Sequence, residues 1–600
     1  MHSSGEPHSR VTAPRTLAAT AALPRLSVLA ISTAVAYLVW RVVATRSDTQ
    51  PALFWLLLTA EAFGVARLAI ELVLIDGPAP ARTPEPPPEP VATDVIVVVN
   101  DESLEVLRTT LLAARCVRDV ETVAVIDTSQ RGAVADLTAR LALRYVATDL
   151  DDVASCATAA AASFRGEVIV VVGGDRVLLP DAAAIMAGHL RTGSVDAVSG
   201  TVEEANAVRR VDRSGLGDAV LWERRIVPRL SRAGALTEWG GVALVRRAAL
   251  VEVGGFATAD GVSLSLTAAR LVRIGHGVVA CDHVVARRLA AGPGPLGLHR
   301  YSRELHTRLR RLRARPRAGV GRLDGLAAWS ALVGPLRAVQ RLVLLAVAWC
   351  VLLGVGTPVS VSLFAFAAAW SARTAIGLGA RFVACGDARF EPWIVNDLRV
   401  MTCDLAVGVG VLRSSWRPPR VVDRPPGARW LRPLPRLLRS TTAALTAAVL
   451  TGFVRVRVAD SVEFATMASC SWFLTGAMLA SRSVRRRQFR SSYRTDDEIP
   501  VVQPDGVRGV GLSLVGFDVL TRARVSAGDE LAVVVDLPRA RGERTPTLLA
   551  GRVQRAVNVG EGHVAYVRFT PQTPDVEDRL HEYLAVSSFE LRRELQRVVV

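Results

Sequence analysis

A strand-like run in the first half of the chain constrains the fold more than any other stretch. Residues 168–172 form an unbroken apolar run that ends in two glycines and then Asp175. Such a run is typical of a strand buried on both faces of a parallel sheet. Ligands of open α/β sheets bind beyond the carboxyl ends of the strands, so Asp175 is a site candidate by its position. The same pattern also fits an acid in a turn after a core strand.

Two further strand-like runs, at residues 95–99 and 122–126, are separated by a helical stretch from Leu104 to about Arg115. Strands that alternate with helices predict a parallel, doubly wound sheet. The carboxyl ends of its strands would meet at one edge. We therefore expect the acids that follow the three runs to converge there, namely Glu102, Asp127 and Asp175.

Long apolar stretches lie on both sides of this region, and half of all residues (50%) are hydrophobic. Residues 26–44 and 52–75 predict a hairpin of membrane spans. The second stretch contains Glu61, Arg67 and Glu71, and the last two are spaced to pair on one helix face. Four later stretches bring the predicted spans to six: 342–356, 360–379, 441–454 and 462–480. Residues 395–412 are predicted to be an amphipathic interfacial helix.

The formal net charge is +17, and the excess is carried mostly by arginine. In an apolar chain without a nucleic-acid-binding motif, this charge favours cytoplasmic flanks of membrane helices over a nucleic-acid surface. We therefore expect a multi-pass membrane protein whose soluble domains lie in the cytoplasm and bind no nucleic acid. The 7 cysteines show neither zinc-ligand nor disulfide spacing.

These patterns predict an α-helical transmembrane bundle with a cytosolic α/β domain and a C-terminal all-β barrel. The barrel is expected to end in a helix near residues 574–596. The predicted parts are a disordered N-terminus (1–25), a transmembrane hairpin (26–76), a Pro-rich linker (77–93), the α/β domain (94–315), transmembrane and interfacial helices with a cytoplasmic loop at 413–437 (316–481), and the C-terminal domain (482–600).

Three segments of the α/β region, at 94–114, 123–131 and 238–257, resemble bacterial cellulose synthase catalytic subunits. Members of that family combine membrane helices, a family-2 glycosyltransferase domain of GT-A fold and a PilZ domain that binds cyclic di-GMP. The resemblance implies transfer of sugar from a UDP-sugar to a growing β-glycan. It also implies Mg²⁺, cyclic di-GMP as an allosteric ligand, and partner subunits of a polysaccharide synthase complex.

The donor-side motifs match this family only in part. Its Asp-x-Asp sequence, which holds Mg²⁺ and the donor diphosphate, corresponds to Gly173-Gly174-Asp175. By resemblance Asp175 is therefore the remaining metal ligand. Glu102 and Asp127 fall at family positions that contribute to nucleotide-sugar binding.

The acceptor-side motifs depart further. The family's general base corresponds to Leu264, which cannot accept a proton, and Asp260 could replace it only from a displaced loop. The Gln-x-x-Arg-Trp motif aligns best with residues 300–304. This alignment keeps Arg300 and Arg303 as acceptor-binding candidates but lacks the tryptophan.

The C-terminal domain carries part of the PilZ signature. Arg486 and Arg490 match its Arg-x-x-x-Arg element, and Ser513 and Gly516 match the end of Asp/Asn-x-Ser-x-x-Gly. Gly511 stands in place of the acid or amide. By resemblance the four matching residues bind cyclic di-GMP, although the arginines also fit a positive flank after a last membrane span.

Three hypotheses follow. The chain is a cellulose-synthase-like glycosyltransferase that is weakly active or inactive because its metal, base and acceptor motifs are degenerate. Alternatively, it is a non-catalytic membrane partner of such an enzyme. In the third, it is a cyclic di-GMP receptor that uses the GT-A domain as a scaffold.

Overall fold

The structure is a computed structural model, and it describes part of the chain. The described residues are 16–75, 84–99, 102–149, 152–204, 226–227, 231, 241–257, 264–288, 322–385, 443, 446–454, 462–471, 494–495, 499, 501–538, 544–559 and 562–584. Their contacts divide the chain into a helical unit (1–80, 209–235 and 293–488) and a second unit (81–208, 236–292 and 489–600).

The helices are α1 (Thr16–Ala44), α2 (Pro51–Ile75), α3 (Leu104–Arg115), α4 (Gly132–Arg140), α5 (Val153–Ala162), α6 (Ala182–Ala187), α7 (Arg247–Glu252), α8 (Leu264–Ile274), α9 (Arg322–Leu352), α10 (Leu363–Cys385) and α11 (Pro574–Glu582). The strands are β1 (Thr93–Val99), β2 (Val120–Asp127), β3 (Arg144–Ala147), β4 (Val168–Gly173), β5 (Arg176–Leu178), β6 (Val195–Glu204), β7 (Val242–Arg246), β8 (Gly277–Arg288), β9 (Arg494–Thr495), β10 (Val501–Gln503), β11 (Arg508–Ser513), β12 (Gly516–Thr521), β13 (Glu530–Pro538), β14 (Arg544–Val559) and β15 (Gly562–Phe569).

An eight-stranded sheet with the order β3-β2-β1-β4-β7-β6-β8-β5 forms the centre of the α/β domain. The valine-rich strands β1 and β4 are almost fully buried, as their unbroken apolar sequences predict. Strand β1 pairs in parallel with β2 on one side and with β4 on the other. The α/β prediction is therefore confirmed, and helix α3 spans the predicted residues.

The prediction of a parallel sheet is only partly correct, because the observed sheet contains both parallel and antiparallel pairs. Strand β7 runs antiparallel to both of its neighbours, β4 and β6, and β5 runs antiparallel to β8. An apolar run encodes burial on both faces but not the direction of the strand. The sequence of β7 therefore gave no sign that it runs against β4.

The C-terminal domain is built on a seven-stranded antiparallel sheet with the order β10-β13-β14-β15-β12-β11-β9. The strand-like runs predicted at 530–536 and 564–569 lie in β13 and β15. Among the described pairings β10 and β9 are the two ends of the order, so closure into a barrel stays a prediction. Helix α11 confirms the start of the predicted C-terminal helix, whereas residues 585–596 lie outside the described part.

The C-terminal domain packs against α3 of the α/β domain. Arg108 reaches from α3 to α11, where its Nε lies 2.6 Å from Asp578 Oδ1 and its Nη1 lies 2.7 Å from Glu577 Oε2. Ala113 and Val177 of the α/β domain belong to the same buried apolar cluster as Phe517 and other core residues of the C-terminal sheet. Ion pairs and apolar packing therefore join the two domains.

A buried histidine lies at this junction. His581 Nδ1 lies 2.6 Å from Thr109 Oγ1, and the same hydroxyl lies 3.1 Å from the Glu105 carbonyl oxygen. His581 and Thr109 thus share a buried hydrogen bond. Burial, together with the nearby Arg108 guanidinium and against the opposing effect of Asp578, lowers the pKa of His581 to about 3.

The helical unit contains a buried polar network. Arg41 is 0% exposed, and its Nε donates to Glu61 Oε2 at 2.9 Å. Tyr37 OH donates to Glu61 Oε1 at 2.7 Å. The Arg41 guanidinium also lies 5.7 Å from the ring centroid of Phe54 and 5.5 Å from that of Phe366. Arg41 is thus a buried cation with a carboxylate partner on the neighbouring helix.

Two expectations about this unit are corrected. Residues 16–25, predicted to be disordered, belong to α1, because their alanines and leucines are strong helix formers. Glu71, predicted to pair with Arg67 on its own helix, instead forms an ion pair with Arg381 of α10. A neighbouring helix offered a closer cation than the same helix face.

Two of the described helical segments, Leu23–Ala44 and Pro51–Ile75, are long and apolar enough to cross a bilayer. Buried core helices and N-terminal signal sequences meet the same criteria. Helices also occur in the predicted span regions at 342–356, 360–379, 441–454 and 462–480. Six spans and a multi-pass topology stay predictions. The predicted interfacial helix at 395–412 lies outside the described residues.

Removing Glu61 should destabilise the helical unit. Glu61→Leu leaves the Arg41 cation buried without its carboxylate, a change that typically costs about 3–5 kcal/mol. Glu61→Leu combined with Arg41→Met removes both charges and should recover most of the loss. Thermal unfolding of the full chain in detergent measures both variants. Equal stability of the single and double variants would contradict the pairing.

Acid should weaken the contact between the C-terminal domain and α3. Because the fold favours neutral His581, the unfolded chain takes up this proton first. The contribution of neutral His581 to the free energy of unfolding is complete above pH 6.5. It is lost as the pH falls toward 3, by about 1.4 kcal/mol for each pH unit. Hydrogen exchange of residues 104–115, corrected for its intrinsic pH dependence, should show this loss of protection.

Two histidine variants test that assignment. His581→Gln cannot titrate and should flatten the dependence between pH 6.5 and 4.5. His563→Gln, a half-buried histidine in β15, should keep the wild-type dependence. An unchanged slope in His581→Gln would exclude His581 as the cause.

Candidate functional site

The three predicted acids lie at the carboxyl edge of β1, β2 and β4. Val99 at the end of β1 pairs with Asp127, the last residue of β2. On the other side of β1, Val98 pairs with Gly173, the last residue of β4. The ends of β2 and β4 are therefore two strand spacings apart, about 10 Å. The parallel register brings together residues that are far apart in the sequence.

The Glu102 carboxylate lies at one side of this edge, beside Gly174. It lies just before α3, whose N-terminal cap is Ser103. A side chain at Gly174 would place its Cβ 3.1 Å from the Glu102 carboxylate, so the carboxylate packs directly on the glycine backbone. Thr110 Oγ1 of α3 donates to the Gly174 carbonyl at 2.9 Å. The glycine pair thus lets α3 and Glu102 approach the end of β4.

Asp127 is fully buried, and its carboxylate organises the turn before α4. Oδ1 accepts from Ser129 N at 2.8 Å and from Ser129 Oγ at 2.5 Å. Oδ2 accepts from Arg131 N and from Tyr145 OH, both at 3.1 Å. Burial and the Asp127 charge raise the pKa of Tyr145, which favours the protonated donor.

Arg131 links this turn to the Glu102 segment. Its Nε donates to Ser129 Oγ at 2.8 Å and its Nη1 donates to the Glu102 carbonyl at 2.7 Å. Asp127 therefore has a structural role at the site edge, in addition to any contact with a ligand. Its role in nucleotide binding stays a prediction.

Asp175, the predicted metal ligand, is surrounded by arginines. Its side chain is 6% exposed, and its Oδ1 lies 3.0 Å from Arg176 Nη1. Its Oδ2 lies 3.3 Å from Nε of Arg288, the last residue of β8. Each carboxylate oxygen thus accepts a hydrogen bond from a guanidinium.

The space beside Asp175 is also filled by Arg176. A Cβ at Gly173 would lie 2.4 Å from Arg176 Nη1, and one at Gly241 would lie 2.3 Å from Arg176 Cζ. The two glycines therefore form a slot for the guanidinium. Gly241 has φ +93°, a conformation that favours glycine.

These residues do not fit a divalent metal. Mg²⁺ takes oxygen ligands and is usually held by one or two carboxylates together with substrate phosphates. Here the only acid of the motif already pairs with two cations, and a guanidinium occupies the place of the other acid.

The acceptor side is only partly described. Leu264 is the first residue of α8, and Thr267 on the same helix accepts from Ala257 N at 3.0 Å. The position predicted for the general base is therefore held in place by its helix, but it carries an aliphatic side chain. Arg300, Arg303 and Asp260 lie outside the described residues.

The described part of the PilZ-like signature forms a hairpin. Ser513 pairs with Gly516 at the β11–β12 turn, and Ser513 Oγ donates to the Gly516 carbonyl at 2.9 Å. A Cβ at Gly516 would lie 2.1 Å from the Val567 carbonyl oxygen. Strand packing alone thus explains both residues. Arg486 and Arg490 lie outside the described residues.

Sequence reasoning missed two arginines of this site, Arg176 and Arg288, whereas Arg131 ends the segment 123–131 on which the family resemblance rests. The only signal was local, because Arg176 follows Asp175 directly and Arg288 ends an Ala-Arg-Arg sequence. It also passed over Cys281, Asp282 and His283, whose ligand atoms lie within 4.8 Å of one another in β8. Cys281 belongs to the sheet core, whereas the other two are exposed.

No protein-family model and no curated protein matches the chain. Among solved structures, it is similar to the mannosyltransferase PcManGT from Pyrobaculum calidifontis in complex with GDP-Man and Mn²⁺, with 18% identity over 60% of this chain and 99% of that chain, and a TM-score of 0.44. It is also similar to glucosyl-3-phosphoglycerate synthase from Mycobacterium tuberculosis (16% identity, 37% and 80% covered, TM-score 0.26). S. aureus TarS residues 1–349 match at 11% identity, with 70% and 96% covered and a TM-score of 0.25. These similarities concern the fold, and the ligands named are properties of those proteins.

Loss of the Asp127 carboxylate should destabilise the α/β domain. Asp127→Ala leaves Ser129, Arg131 and Tyr145 without their common acceptor, and hydrogen bonds to a charged group are worth about 1.5–3 kcal/mol each. We expect a loss of at least about 2 kcal/mol, measured as chemical unfolding of the full chain in detergent. Glu121→Ala, an exposed acid on the same strand, is the matched control. Equal stability of the two variants would contradict this role.

Proposed function

We propose that this chain is a cellulose-synthase-like membrane protein with a family-2 glycosyltransferase domain that binds a UDP-sugar and transfers it to a β-glycan weakly or not at all. The observation that carries the proposal is the arrangement of charged side chains at the carboxyl edge of β1, β2 and β4. Glu102, Asp127 and Asp175 converge there, yet Asp175 is neutralised by Arg176 and Arg288. In this proposal the strand edge still binds the donor, but Asp175 does not hold a metal.

The missing base supports weak transfer. A sugar acceptor hydroxyl must lose its proton as it attacks, and a positioned base contributes about 10²–10⁴-fold to the rate. Leu264 supplies no proton acceptor at the position where the family has one. Without this base and without a metal at Asp175, binding of the donor would be the main remaining activity.

The proposed setting is the bacterial inner membrane, with both soluble domains in the cytoplasm. Helices α1 and α2 have the length and apolar composition for this. The expected partners are the membrane, a UDP-sugar, a β-glycan and other subunits of a polysaccharide synthase complex. A non-catalytic partner subunit would keep the same placement and the same donor site.

A second candidate is a receptor for cyclic di-GMP, in which the junction with α3 would transmit the effect of the ligand. The ion pairs of Arg108 with α11 hold the C-terminal domain on the helix that begins beside Glu102. A ligand that shifts the C-terminal domain would therefore act on the donor edge through α3. Arg486, Arg490, Ser513 and Gly516 are the proposed ligand-binding residues.

Turnover of the purified full chain tests the first candidate. With UDP-glucose or UDP-N-acetylglucosamine, Mg²⁺, Mn²⁺ and cyclic di-GMP, release of UDP should stay near background. Leu264→Asp, Gly173→Asp and Arg176→Ala together return a base and a second acid and clear the space that the acid needs, so this variant should gain activity. The same variant with Leu264→Asn should not gain it. Rapid turnover by the wild type would reject weak catalysis.

Calorimetric titration of the full chain with cyclic di-GMP tests the second candidate. Arg486→Ala should reduce the affinity at least tenfold because it removes a phosphate contact. Arg524→Ala, which changes an exposed arginine in the same domain, should bind as the wild type does. If titration of the wild type with cyclic di-GMP gives no binding heat, the receptor hypothesis is rejected.

A further inference from the structure

We infer that Arg176 is the resident cation of the donor site, so that this chain binds a nucleoside diphosphate through guanidinium groups without a divalent metal. This inference rests on the proposed function and goes beyond it, because it names the group that replaces the metal. It is carried by the positions of Arg176, Arg288 and two glycines around Asp175.

The geometry is that of a built-in cation. Arg176 is mostly buried, with 16% of its side chain exposed, and it donates to an acid that is itself 6% exposed. Arg288 contacts the other oxygen of the same carboxylate and is 35% exposed. The inner guanidinium is thus fixed by Asp175, while the outer one remains partly open to solvent.

The position of Arg176 depends on two glycines. A Cβ at position 173 would lie 2.4 Å from Arg176 Nη1, and a Cβ at position 241 would lie 2.3 Å from Arg176 Cζ. An aspartate at position 173 would therefore require the guanidinium to shift from its place beside Asp175.

The two guanidinium groups at the end of β4 suit an anionic ligand. Arg176 and Arg288 each contact one oxygen of Asp175. Guanidinium groups bind phosphate oxygens with two parallel hydrogen bonds and stay charged at every physiological pH. A diphosphate at the β4 edge therefore meets preplaced donors and does not need to bring a metal.

The competing explanation is a purely structural ion pair. A structural pair would matter for folding but not for ligand affinity, and it would not prevent a metal from binding nearby. Two measurements on the full chain in detergent separate these explanations.

The first measurement is Mn²⁺ binding, followed by the loss of the free-ion signal in electron paramagnetic resonance. The wild type and Asp175→Asn should bind the same amount of Mn²⁺, with and without UDP. One Mn²⁺ per chain that binds to the wild type and is lost in Asp175→Asn would overturn the inference.

The second measurement is calorimetric titration with UDP and with GDP in EDTA and in Mn²⁺. The wild type should bind at least one of them in EDTA, and Mn²⁺ should change its affinity less than threefold. Arg176→Ala should weaken nucleotide binding at least tenfold. Arg176→Lys keeps the charge but not the two parallel donors of the guanidinium, and it should bind with intermediate affinity. Arg118→Ala, on an exposed arginine that pairs with Asp181, should have no effect.

The outcomes are distinct. Wild-type affinity in Arg176→Ala, or binding that requires Mn²⁺, overturns the inference while the proposed donor site stands. If Arg176→Ala does not fold, Arg176→Lys decides, and wild-type affinity in that variant overturns the guanidinium-fork contact. If neither nucleotide binds in either buffer, the diphosphate site and the proposed function both fail. The Mn²⁺ titration still decides whether the site holds a metal.

Discussion

The pairing of β1 with β2 on one side and β4 on the other is the constraint on which the α/β domain depends. Residues 95–99 are buried on both faces, so the strand is stable only when neighbours satisfy its backbone on both sides. The parallel register then fixes where each strand ends. As a result the segment with Glu102, the Asp127 turn and the Gly173-Gly174-Asp175 sequence meet at one edge.

At that edge, charge and space are linked. A glycine at position 173 leaves the space that Arg176 fills, and Arg176 pairs with Asp175, the residue predicted to bind a metal. On the acceptor side, Leu264 offers no group for proton transfer. In the proposed function, these changes convert a site for metal-assisted sugar transfer into one that holds an anionic donor.

Buried charges elsewhere follow the same rule that a charge away from water needs a partner. Arg41 pairs with Glu61 inside the helical unit, and Arg108 pairs with two acids of α11 between the soluble domains. His581 differs, because burial lowers its pKa and favours the neutral ring, which shares a hydrogen bond with Thr109. In each case the partner lies on a different helix, so the contact also fixes how the helices pack.

The sequence by itself determined the class of the soluble core, the extent of α3 and the meeting of three acids at one strand edge. It did so because apolar runs and the acids that follow them are local patterns with a direct structural meaning. The direction of β7, the partner of Glu71 and the arginines around Asp175 were decided only by the tertiary structure. Each of these depends on residues that are distant in the sequence: Arg288 lies 113 positions from Asp175, and no periodicity or motif within one segment encodes such a contact.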